Sequence, residues 1–77
     1  MTDTQHQQII QVITDEGGII EEIKLKDRLD EDLGLDSLDR TNIVMNIERR
    51  FDITISNDTY EEIKTVKDLI NAVEELL

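Results

Sequence analysis

Between Asp30 and Arg40 the chain reads DEDLGLDSLDR, setting five carboxylates, one glycine and a single hydroxyl, Ser37, within eleven residues. Three kinds of chemistry use such a stretch: a cation loop, a serine nucleophile, and a serine that anchors a group the chain does not encode. A helix-loop-helix calcium loop needs acids at its first, third and fifth positions, Gly at the sixth and Glu at the twelfth. Counted from Asp30, the fifth position is Gly34 and the twelfth is Thr41, so the spacing fails and no metal site is expected. A serine nucleophile needs a base within hydrogen-bond reach and donors for an oxyanion. The one histidine, His6, belongs to a separate segment far upstream, and no G-x-S-x-G elbow surrounds Ser37.

The attachment reading agrees with the local physics. Asp36 reads as a helix N-cap, and Asp39 falls near the third helical position, where an acid meets the positive end of the helix dipole. Ser37 then opens the helix with its hydroxyl at the surface, beside first-turn N–H groups able to accept a phosphate ester. Gly34 lets the preceding loop turn sharply. On these local features alone, a capping serine with no further role is the simpler account.

The elements that must position Ser37 follow from periodicity. TDTQHQQIIQVITDEGG begins with a Thr2-to-Gln5 capping pattern and places Ile9, Ile10 and Ile13 on one face, which predicts a helix from about Asp3 to Glu16 ended by Gly17 and Gly18. From Ile19 to Leu35 no period holds. This is a long connection, expected to be pinned to the core by Ile20, Ile23, Leu25, Leu29 and Leu33, with room for one short helical turn. DSLDRTNIVMNIERRF predicts a second helix from Ser37 to Phe51 with Ile43, Val44, Ile47 and Phe51 facing the core. FDITIS is a lone extended link. SNDTYEEI predicts a short third helix capped by Ser56, Asn57 or Asp58, and TVKDLINAVEELL a fourth. Thr65 caps that fourth helix, whose stripe is Val66, Leu69, Ile70, Val73 and Leu77. The expected fold is all-α: a small four-helix bundle of three longer helices and one short helix, with a long loop between helices one and two.

Composition bounds the rest. Residues 1–77 make one domain with a thin core, since a chain this short buries only about 60% of its unfolded surface. There is no Cys. No apolar run is long enough to suggest membrane insertion and no signal-peptide pattern is present, so the expected location is cytoplasmic and the expected state monomeric. The formal net charge is −11 and aromatic residues make up only 3%, which argues against nucleic acid and for protein partners bearing basic patches. On the second helix, Leu38 and Met45 share a stripe roughly opposite the core face, with Asn42 and Arg49 beside them. Such a stripe suits docking, and a flexible Met adapts to several partners.

Taken together, the first helix, the long loop, EDLGLDSL, the helix running into RRFDI, and EEIKTVKDLINAVEEL resemble the acyl carrier protein family over nearly the whole chain. DSL alone is unspecific, but DLGxDSL after a long loop in an acidic four-helix chain of this length is specific. The resemblance implies a carrier that is not itself an enzyme. A phosphopantetheinyl transferase would install a 4'-phosphopantetheine arm on Ser37, with Asp36 supporting the transfer, and the arm's thiol would hold acyl groups as thioesters. It also implies that cargo is sheltered between the helices, with Ile43, Ile47, Ile63 and Leu69 as the matching lining. Leu38, Thr41, Asn42, Met45 and Glu48 are then the face shown to acyl-processing enzymes of fatty-acid or related biosynthesis.

One departure bears on the pathway. The family's docking helix is strongly acidic, whereas here Arg40, Arg49 and Arg50 outnumber Glu48 after Asp39. Arg49 and Arg50 suit a helix C-terminus. Arg40 does not, and is expected either to bias partner choice or to pair with Asp36 or Asp39. The alternatives are a carrier of a specialised polyketide, peptide or lipid pathway and, in another class, an acidic helical interaction module without a prosthetic group.

Overall fold

The structure is a computed structural model describing residues 3–77, in which four helices follow one another: α1 (Asp3–Gly17), α2 (Ser37–Phe51), α3 (Asn57–Glu62) and α4 (Val66–Leu76). The all-α expectation holds. Thr2, the start of the predicted first capping pattern, lies outside the described residues. Helix α1 turns Ile9, Val12 and Ile13 fully inward, with Ile10 half-buried, and packs on both α2 and α4. Gly17 is still helical. The stop is Gly18 at φ +61, and the Ile19 N–H returns to the Thr14 carbonyl at 3.1 Å, the six-to-one bond that left-handed glycine ends allow. An Asn46–Glu16 side-chain bond of 3.2 Å ties α2 to the end of α1.

The long loop is held less by its aliphatic residues than expected. Leu29 is buried, Ile23 and Leu33 pack partly on the core, but Ile20 is 98% exposed and Leu25 is also exposed. Backbone pairing takes up the task instead. Arg28 and Thr65 form an isolated antiparallel bridge; Leu29 N–H donates to Lys64 O at 3.0 Å, Val66 N–H to Asp27 O at 3.0 Å, and Lys67 N–H to Leu25 O at 2.9 Å. One turn of the loop closes on the Lys24 carbonyl, which accepts from Asp27, and another on the Arg28 carbonyl, which accepts from Asp32 and Leu33. Much of the acidic cluster braces these turns: Asp27 accepts the Lys24 N–H, Asp32 the Arg28 N–H, and Asp30 the Glu31 N–H. The loop therefore delivers Leu35, itself buried, to a fixed point two residues before Ser37.

Helix α2 has the predicted bounds and face: Ile43 and Ile47 are buried, Val44 and Phe51 partly so. It ends at Asp52, in the left-handed region at φ 55, with the N–H groups of Asp52 and Ile53 both on the Glu48 carbonyl. Ser56 caps α3 and Thr65 caps α4, each accepting the N–H three residues on. Helix α4 buries Val66, Leu69, Ile70, Ala72 and Val73. Leu77, expected on that stripe, lies past the helix end and is exposed, because the stripe no longer has a neighbour to face. Helix α3 buries none of its own residues, although Ile55 and Ile63 on either side of it are buried.

Candidate functional site

Asp36 sits in extended backbone at the mouth of α2, and its Oδ1 accepts the Asp39 N–H at 2.8 Å. The Asp39 carboxylate reaches back to the Asp36 N–H at 3.5 Å, completing a capping box. The Arg40 N–H is taken by the Asp36 carbonyl at 3.0 Å. Ser37 is thereby locked as the first helical residue and is exposed, and its hydroxyl has no hydrogen-bond partner among the described residues. The first-turn N–H groups of Ser37 and Leu38 point out of the same end. This combination has a clear chemical meaning. An accessible hydroxyl stands at the positive end of a helix, free for esterification, and a phosphate ester placed there meets unpartnered donors. The one histidine, His6, is on α1, and its buried Nε2 has no hydrogen-bond partner among the described residues.

The model of the phosphopantetheine attachment-site family matches residues 7–73, nearly the whole chain. The acyl carrier protein of Rickettsia bellii strain RML369-C is 40% identical over 74 residues, which cover 95% of this chain and 86% of that protein. The chain belongs to the acyl carrier protein family. Acyl carrier proteins are carriers rather than enzymes, and their prosthetic group is 4'-phosphopantetheine. Solved structures agree with the fold. A Mycobacterium tuberculosis chain, solved as a candidate acyl carrier protein, superimposes with a TM-score of 0.89 at 31% identity, covering 92% of this chain and 96% of that one. The Thermotoga maritima acyl carrier protein gives 0.81 at 25% identity over 99% of this chain and 94% of its own.

Within this acyl carrier protein the predicted docking residues fall into two groups. Leu38 is 67% and Met45 53% exposed, and Thr41 and Asn42 are exposed beside them, so four of the five form an open strip leading away from Ser37. Glu48 is half-buried and turned elsewhere: its Oε2 accepts the Ile55 N–H at 2.8 Å. Arg40 does not make the expected pair with Asp36 or Asp39. It is half-buried, donates from Nη2 to the Ile63 carbonyl at 3.2 Å, and lies over the Tyr60 ring at 5.4 Å from its centroid. Its tether is in α3 and the α3–α4 connection, not in Asp36 or Asp39.

Ile43, Ile47, Ile63 and Leu69 are all buried in the closed core. None of the four lines the partly open slot between α2 and the α3 segment, which holds about 210 Å³ and is lined by Thr41, Val44, Met45, Glu48, Ile55, Asn57 and Tyr60. Val44 was legible as part of the inner face of α2. Ile55 and Tyr60 were not singled out. The alternation in FDITIS was the available signal for Ile55, and nothing local marked Tyr60.

Proposed function

We propose that Ser37 takes the 4'-phosphopantetheine arm from a phosphopantetheinyl transferase and that residues 1–77 work as one carrier domain. The observation that carries this is the unpartnered, exposed Ser37 hydroxyl held at the first position of α2 by the Asp36–Asp39 box. When bound, the group supplies a thiol on which acyl chains are held as thioesters. The chain's own residues do the rest. Asp36 fixes the serine and supports installation of the arm through its carboxylate. Leu38, Thr41, Asn42 and Met45 offer partners an apolar strip with polar edges, while Glu48 contributes from behind it. Ile43, Ile47, Ile63 and Leu69 form the apolar floor against which cargo shelters.

The partners are acyl-processing enzymes of fatty-acid or related biosynthesis, met by a monomer in the cytoplasm. No helix among the described residues is long and apolar enough to cross a membrane. A specialised pathway is a second reading with its own support. Arg49 and Arg50 are exposed at the end of α2 and make no ion pair among the described residues, whereas Glu48 is occupied by a backbone N–H. The free charge toward that end of the strip is therefore positive.

Intact mass after incubation with a transferase, coenzyme A and magnesium tests the assignment. The parent gains one phosphopantetheine and Ser37→Ala gains none. A gain on the Ala variant overturns it.

A further inference from the structure

Two side chains of α2 grip the α3 segment at its two ends. Glu48 Oε2 holds the Ile55 N–H just before α3, and Arg40 Nη2 holds the Ile63 carbonyl just after it, with its guanidinium over Tyr60 in between. Both are charge-assisted hydrogen bonds, the stronger kind, and both are made to backbone, so they fix where α3 lies rather than what it is made of. Apart from the Ser56 cap and the partly buried Tyr60, little of α3 itself fixes it. Helix α3 is six residues long and buries none of them; its inward anchors are the buried Ile55 and Ile63, which are the very residues whose backbones are gripped. Segments with few buried contacts open at a low free-energy cost. The hold is also incomplete at one end. Arg40 Nε is buried without a hydrogen-bond partner among the described residues, and an unsatisfied buried donor weakens the closed position.

Between α2 and the α3 segment lies the partly open slot of about 210 Å³, below the roughly 300–1,000 Å³ usual for ligand pockets. Its edge at Thr41 is four residues from Ser37 on the same helical face, so whatever hangs from Ser37 meets this slot first. A short acyl chain fits as the slot stands. Sheltering a longer one calls for a deeper slot, which an outward move of α3 would give, and the polar contacts that resist such a move are those of Arg40 and Glu48.

We propose that Arg40 and Glu48 are positioning residues that clasp α3 over the slot, and that the strength of the clasp sets the length of acyl chain the protein can shelter. The proposal rests on the carrier reading of Ser37 for its cargo, but the clasp itself is a property of the unloaded protein.

The first test therefore uses the unmodified chain. Amide hydrogen exchange is followed at Tyr60 and Ile63, whose N–H groups bond to Ser56 O and Tyr60 O. Arg40→Met keeps an apolar stem and removes the donor and the charge; it speeds exchange at these two amides about tenfold while leaving the α1 amides at parental rates. Glu48→Gln keeps an acceptor without its charge and gives a smaller rise in the same amides. Parental rates at Tyr60 and Ile63 in Arg40→Met overturn the clasp, as does an equal rise in α1, which means general destabilisation.

The second test loads parent and Arg40→Met with a graded series of saturated acyl arms from the corresponding acyl-coenzyme A esters. Methyl resonances of Val44, Ile55 and Ile63 shift with each added carbon until the slot is full. The shifts continue to longer chains in Arg40→Met than in the parent. An identical limit in the two proteins overturns control of chain length. If neither protein accepts an arm at Ser37, the carrier reading fails, while the exchange result still decides the clasp.

Discussion

The Asp36 carboxylate accepts the backbone N–H of Asp39 at 2.8 Å, so the side chain adjoining Ser37 is also the side chain that starts its helix. The proposed function gives this cap a second duty in loading Ser37, and two substitutions separate the two. Asp36→Ala removes both the cap and the acid, costing about 1 kcal/mol of stability. Asp36→Asn caps as well as Asp does. It is expected to melt like the parent yet to be loaded several-fold more slowly by the transferase. Thermal melts beside the time course of intact mass check this; parental loading of Asp36→Asn means the acid serves only as a cap.

Gly17 illustrates how the loop is registered against α1. A Cβ built on it meets Leu35 Cδ2 at 2.6 Å, and Leu35 is buried. Alanine in place of an exposed helical glycine normally gains up to about 1 kcal/mol. Here overpacking, at about 1–3 kcal/mol, outweighs that gain. Gly17→Ala is expected to lower the denaturation midpoint and to shift the amide resonance of Ser37, two residues beyond Leu35. A raised midpoint with Ser37 unmoved means Leu35 repacks freely and the loop is not registered there.

Met45 and Ile47 are two residues apart and stand in opposite surroundings. Ile47 is fully buried, whereas Met45 is 53% exposed at the rim of the slot. Truncating a buried aliphatic to Ala costs about 2–5 kcal/mol. The same change at Met45 is expected to cost less than about 1 kcal/mol, because much of its surface is already in water. Met45→Ala then melts near the parent and is a poorer substrate for partner enzymes, while Ile47→Ala melts far below it. Similar melting of the two variants contradicts this division.

How much of this was legible depended on sequence distance. The bounds of α2, its inner face and its cap were readable because each rests on residues within about one or two helical turns of each other. Thr65 was readable as a cap for the same reason, and the α3 cap was narrowed to Ser56, Asn57 or Asp58, of which the structure uses Ser56. Arg40 was misplaced because its partners, Tyr60 and Ile63, are 20 and 23 residues away and neither looks acidic. A guanidinium satisfied by a carbonyl and a ring leaves no charge pattern to find. The bond that Glu48 accepts was hidden in the same way, since it comes from a backbone N–H that any residue at 55 except proline would supply. The loop's aliphatic residues misled for a different reason: its position is set by backbone bonds to Lys64, Val66 and Lys67, which side-chain periodicity does not report.

Asp68 gives the fold a specific acid sensitivity. Burial pushes its carboxyl up, but the backbone N–H groups of Lys64 and Thr65, 3.0 and 3.1 Å from Oδ2, outweigh burial and hold it below its ordinary value. A carboxyl depressed in the folded state adds stability that is fully present above its unfolded value, about 3.9, and is lost as pH falls through the folded value. The raw pH profile will not isolate this, because protonating the other acids of a chain with 19 carboxylates also relieves repulsion, with the opposite sign. That contribution is nearly shared by parent and Asp68→Asn, so it largely cancels in their difference. Asn retains an acceptor oxygen but not the charge, which places the variant about 1 kcal/mol below the parent at neutral pH. Urea titrations from pH 7 to 2.5 are expected to show a constant gap down to about pH 5 and a narrowing gap below about pH 4. Near the lower limit the protonated Asp68 resembles the amide, and the two midpoints converge. A gap that stays the same width across the whole range means the Asp68 charge does not hold the start of α4.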